Sequence, residues 1–299
     1  MCACDGASSG GDGPVDPVRR WPWGVVFVIG LLGLYGPTLV GLASDWLTDD
    51  NYAHGILVPP FVAWLVWQRR DRLRDLPVRP SASGVWMVAA GLLLYLLGQT
   101  AFEFFLTRVS LLVVMAGALV YLFGWRHLRA CAFPFVLVAL AIPLPALVFN
   151  EVALPLQLVA SRLGVGLLDL AHVPAIREGN VIYLSQATLE VAEACSGVRS
   201  LMSLGALALV YGYLARPSLA ARSLVLISVL PAVIVANGLR VAASGLVAHR
   251  FGADAALGPL HAVAGWIFFG TALLLIAAVD RASSAWPGGR AGAVAGEPV

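Results

Sequence analysis

Apolar residues in this chain do not alternate with polar ones; they run in long blocks separated by short polar segments. Eight blocks can be placed, at 23–43, 54–68, 84–100, 108–123, 129–149, 195–215, 223–248 and 260–279. Most approach the roughly 20 residues an α-helix needs to cross a bilayer core. A transmembrane barrel would show short segments of strict alternation, and those are absent. The expected fold is therefore an all-α polytopic membrane protein with about eight transmembrane helices. The second block carries Pro59-Pro60, which predicts a kink, and Pro134, Pro143 and Pro145 predict that the fifth bends or ends early.

One interruption of the pattern is longer than the rest, at about 150–194. In its first half Leu154, Leu158, Leu163, Val165, Leu167 and Leu168 have the spacing of an amphipathic helix lying along the membrane interface. In its second half Val181–Leu184 and Leu189–Ala192 alternate around Ser185-Gln186-Ala187, which predicts a small β-hairpin before the sixth helix. Residues 1–22 and 281–299, rich in Gly, Ala, Ser and Pro, are expected to be disordered tails flanking a transmembrane domain at 23–280. The first apolar block lacks a small-residue cleavage site after it, so it reads as a retained span.

Charge orients the bundle. All nineteen basic residues are arginine. With the N-terminus inside, thirteen fall in cytoplasmic segments and only Arg108, Arg162, Arg177 and Arg250 in outer ones, with Arg199 and Arg240 inside spans. This bias puts both termini in the cytoplasm. The outer segments collect acids, among them Asp45, Asp49, Asp50, Glu103 and Glu190. Hydrophobic residues make up 60% of the chain and charged ones 12%, which removes a soluble domain from consideration, and a net charge of +2 gives no reason to expect nucleic acid.

Four cysteines form no disulfide pattern, and no Cys/His spacing suits a metal, so neither cofactor nor metal is expected. Cys131 lies in an apolar run and reads as a small buried hydrophobe. Cys195 differs: it follows Glu193 and opens a helix with Ser196-Gly197 in its first turn, where free N–H groups lower a thiol pKa. Arg199, one turn on, shares its face and also suits an arginine reaching for the interface. Arg240 lies inside the seventh span, where a charge costs about 2.5–3.5 kcal/mol or more and marks a functional candidate. Asn237 shares its face. His261 opens the last span; taken alone it reads as an interfacial helix cap. Topology changes its weight, because the sixth span runs inward from Cys195, the seventh outward past Arg240 and the eighth inward from His261. Thiol, guanidinium and imidazole then share the outer third of consecutive antiparallel helices. That inventory suits a cysteine protease or acyl transferase. The competing classes are a transporter or channel with an arginine-lined polar path, and a non-catalytic factor in export or polysaccharide assembly.

The motifs Glu193-Ala-Cys-Ser-Gly-Val-Arg-Ser200 and Asn237-Gly-Leu-Arg240, together with the histidine heading the last span, resemble those of the exosortases. So do His54-Gly-Ile-Leu-Val-Pro-Pro60 with the following Trp64-Leu-Val-Trp67, and Arg177-Glu-Gly-Asn-Val-Ile-Tyr183. The resemblance covers about residues 23–280. It implies Cys195 as nucleophile with Arg240 and His261 as the other two essential residues, and adds His54 to the supporting set of Arg199, Asn237, Glu193 and Ser196. It further implies exported protein substrates with a C-terminal sorting signal made of a Pro-Glu-Pro motif, one span and a basic cluster. Cleavage and transfer would take place at the outer face of a Gram-negative inner membrane, alongside exopolysaccharide machinery.

Overall fold

The computed structural model describes residues 21–185, 187–191, 197–252 and 259–285; the side chains of 21–25, 27, 259–262, 284 and 285 are outside that description. The two expected tails lie almost wholly outside it, although the last helix continues to Ala285, beyond the expected boundary at 280.

The chain is mostly helical. Helix α1 spans Trp21–Thr48, and a 3-10 turn at Ala53–Leu57 leads into α2 (Val58–Gln68) and α3 (Arg70–Asp75). Then come α4 (Ser83–Thr100), α5 (Phe104–Phe123), α6 (Trp125–Ala130), α7 (Ala132–Leu140) and α8 (Ala146–Leu170). After the sheet follow α9 (Val198–Ala215), α10 (Leu219–Phe251) and α11 (Pro259–Ala285). Among the described residues seven helices are long and apolar enough to cross a membrane: α1, α4, α5, α8, α9, α10 and α11.

Two of the eight expected spans are short. Helix α2 has 11 residues and α7 has 9, about 16 and 14 Å of helix against a core of about 30 Å. The two pack against each other. The expected fifth span, 129–149, ends early, as its prolines predict: helix stops at Leu140, Pro143 and Pro145 follow, and α8 begins at Ala146, so the bound at 149 is corrected to 140. The expected interfacial helix is therefore the later part of a 25-residue helix that itself satisfies the requirements of a crossing segment.

Helix α8 runs beside α10 in the same direction. Gly238 meets Leu163, Gly164 meets Val241 and Gly245 meets Leu168, close enough that a Cβ on any of these glycines would overlap its neighbour. Positions 238–245 lie about 28–39 Å along α10 from Leu219. The second half of α8 thus accompanies the part of α10 that outruns a ~30 Å core.

The expected hairpin is a three-stranded antiparallel sheet. Strand β1 (Ala175–Glu178) pairs with β2 (Val181–Leu184), and β2 with β3 (Thr188–Glu190), with Arg177 opposite Ile182 and Ile182 opposite Leu189. Gly179, with φ 63°, opens the tight β1–β2 turn. Ser161 Oγ of α8 donates to the Gly179 carbonyl at 3.1 Å. Ile182 and Leu189 are buried with Ala160 of α8 and with Val241 and Ala248 of α10.

The bundle consequently has two unlike ends. At the sheet end, Arg199 at the start of α9 pairs with Asp50 at 2.8 Å, and Trp46 Nε1 donates to the Ala141 carbonyl. At the other end, Phe133 and Tyr213 stack and the Arg69 and Arg222 guanidinium groups lie over Tyr213. This second end is called the arginine end below.

Candidate functional site

Helix α9 starts at the sheet end from Gly197, whose φ of 83° is the left-handed conformation that suits glycine. A Cβ there would sit 3.3 Å from the side-chain amide of Asn237 and 3.2 Å from Val233. Asn237 is buried, and Arg240 follows it one turn later on α10, partly buried. Gly265 of α11 lies against Arg240: a Cβ on it would be 3.7 Å from Nη2. Ser200, Asn237, Arg240, Gly265, Phe268 and Phe269 enclose a cavity of about 10 Å³. Three helices therefore converge on one arginine, and the left-handed backbone at Gly197 with its tight approach to Asn237 and Val233 calls for glycine.

Of the sequence-predicted residues, Arg240 and Asn237 are brought together. Cys195, Glu193 and Ser196 lie outside the described residues, just before Gly197. His261 falls within α11, one turn before Gly265, and its side chain is outside the description. Arg199 is half-exposed and turns to Asp50, tying α9 to the segment after α1. His54 sits in the 3-10 turn, its ring tilted against Tyr52 at 6.4 Å, with both ring nitrogens buried. Tyr52 is itself buried with Phe149, Ala153, Leu156 and Val198, so that turn adjoins the start of α9.

The sequence reading did not single out Asp45 and Arg108. They form a 2.6 Å ion pair in which Arg108 is 8% exposed, bordering a cavity of about 530 Å³ at the sheet end. By sequence both are outer-segment charges; the signal that marks Arg108 is its place one turn inside α5 rather than before it. No group of three His, Cys, Asp or Glu suited to a metal occurs among the described residues.

Comparison with known families decides what this arrangement belongs to. Residues 46–278 match the family model described as Transmembrane exosortase (Exosortase_EpsH). The chain belongs to the transmembrane exosortase family. Searches of curated proteins and of solved structures return no significant match. The matched exosortase region begins at Trp46, on the last turns of α1, and ends within α11, so it contains the sheet, Asn237, Arg240 and Gly265. Exosortase membership implies processing of sorting signals at a membrane.

Proposed function

We propose that this protein is an integral-membrane cysteine endopeptidase and transpeptidase that cleaves Pro-Glu-Pro-type C-terminal sorting signals of exported proteins. Residues 23–280 form the catalytic unit, both termini are cytoplasmic, and the site faces outward from the inner membrane. The observation that carries this reading is the convergence on Arg240. Gly197, two residues after Cys195, packs on Asn237, and Gly265, one turn after His261, packs on the Arg240 guanidinium.

In this mechanism His261 takes the proton from the Cys195 thiol and the thiolate attacks the scissile carbonyl carbon. Arg240, oriented by Asn237, supplies fixed positive charge to the oxyanion through its planar fork. Collapse breaks the C–N bond; the leaving amine takes the proton from His261, and a thioester remains on Cys195. Water or an acceptor amine then attacks that thioester, gives its proton to the imidazole, and the sulfur leaves as thiolate. Arg199, Glu193, Ser196 and His54 support the pocket without taking part in bond making. Exported proteins bearing the signal are the substrates, and the exopolysaccharide machinery is the associated partner.

The test is mass spectrometry of a tailed protein co-expressed with wild type or Cys195→Ala. Processing and a trapped thioester on Cys195 are expected in the first and neither in the second, with equal membrane insertion. Undiminished processing by Cys195→Ala would refute the mechanism.

A further inference from the structure

At the arginine end, α9 and α11 both pack on α10 and leave a groove of about 580 Å³ between them. Its floor is Leu204, Ala208, Val225 and Ile276, buried together, and its exposed walls include Leu207 and Leu273. The groove is one leaflet deep. Along α9 it runs from Leu204 to Arg216, about 18 Å, and along α11 from Leu273 to Arg281, about 12 Å, against about 15 Å for half a hydrocarbon core. Further toward the sheet end Phe268, Phe269 and Ala272 close the seam down to the small cavity at Arg240. A membrane-spanning helix would need about twice this length; an acyl chain would not.

The mouth of the groove is cationic. Asp280, nearly buried there, is neutralised by Arg216 and accepts from the Tyr211 hydroxyl at 2.7 Å. That leaves Arg281 exposed beside it on the groove wall. Arg216 Nε is buried at this mouth and meets no acceptor among the described residues. A buried donor without an acceptor is costly, and a phosphate oxygen is a strong acceptor for guanidinium. The same cluster disfavours the basic end of another protein's span.

We infer that this groove binds one anionic phospholipid from the leaflet at the arginine end, with its phosphate on Arg216 and Arg281 and one acyl chain between α9 and α11. The site is separate from the chemistry proposed for Cys195, and its test does not read processing.

The experiment is native mass spectrometry of the full-length protein titrated with dioleoylphosphatidylglycerol or dioleoylphosphatidylcholine. Wild type is expected to retain one phosphatidylglycerol at least about fivefold more readily than phosphatidylcholine. Leu273→Trp, which fills an exposed wall without touching the ion pair, should abolish that retained lipid. Arg281→Gln should bring the two lipids near parity. Equal retention of both by wild type, or a preference that survives Leu273→Trp, would overturn the inference. So would a hydrophobic spanning peptide that crosslinks to Leu273→Cys and displaces phosphatidylglycerol.

Discussion

At Gly197 two independent demands meet on one residue. Its left-handed backbone costs a side-chain-bearing residue about 1–2 kcal/mol, and a methyl group there would press on Asn237 and Val233. Gly197→Ala is therefore expected to lower processing of a tailed protein at least tenfold while the protein still inserts. Gly179→Ala supplies the control: its φ is also positive, but a Cβ there meets nothing within 4 Å. It should lose comparable stability and keep its processing rate. Equal processing by both variants would mean that Asn237 does not position Arg240. Arg240 was legible in the sequence as a candidate because a charge inside an apolar run stands out whatever surrounds it, and Asn237 because it shares that helix face. Gly265 was not, since one glycine among many carries no mark of the guanidinium it faces. The pairings Arg199–Asp50 and Arg108–Asp45 were invisible for another reason. An ion pair between distant segments depends on packing, which a local pattern does not encode.

Elements were legible where a block was long and uniformly apolar, as for α4, α5, α9, α10 and α11. They were legible only in part where an interfacial helix and short strands broke the pattern. The eight blocks became six long helices and the short pair α2 and α7, and the seventh long helix, α8, grew from the segment after Pro145 because its apolar spacing does not distinguish an interfacial helix from a crossing one. Strand β1 was missed because four residues, two of them Arg177 and Glu178, leave too little alternation to read. The close approach of α4 and α5 is a property of the pair. Gly84, Gly91 and Gly98 recur every seven residues on one face of α4, and a Cβ on Gly91 would lie 2.6 Å from Val114 and 3.0 Å from its backbone nitrogen. Close helix packing in a membrane relies on such small residues. Gly91→Leu should separate the helices at a cost of about 1–3 kcal/mol, the range of core overpacking. A lower midpoint in thermal unfolding of the detergent-solubilised protein is the expected readout, whereas an unchanged midpoint would mean that α4 and α5 tolerate separation.

For the whole molecule the decisive asymmetry is between its ends. Asp45, Asp50, Glu103, Glu178 and Glu190 gather at the sheet end, while Arg69, Arg72, Arg74, Arg216, Arg222 and Arg281 lie at the other. Arginine is retained on the cytoplasmic side of short connecting segments, so this distribution supports the proposed orientation, with the sheet and Arg240 outward. The ordered path fits that assignment: α9 leaves the sheet end, α10 returns to it, and α11 leaves it again. An outward-facing site is what a protein acting on exported substrates requires, so orientation and proposed function stand or fall on one measurement. In a background with all four cysteines replaced, Ile176→Cys, on an exposed position of β1, should react with a membrane-impermeant maleimide in intact spheroplasts. Arg72→Cys, exposed on α3, should react only after permeabilisation. The reverse pattern would place the sheet in the cytoplasm, where no exported protein could present its signal to Arg240.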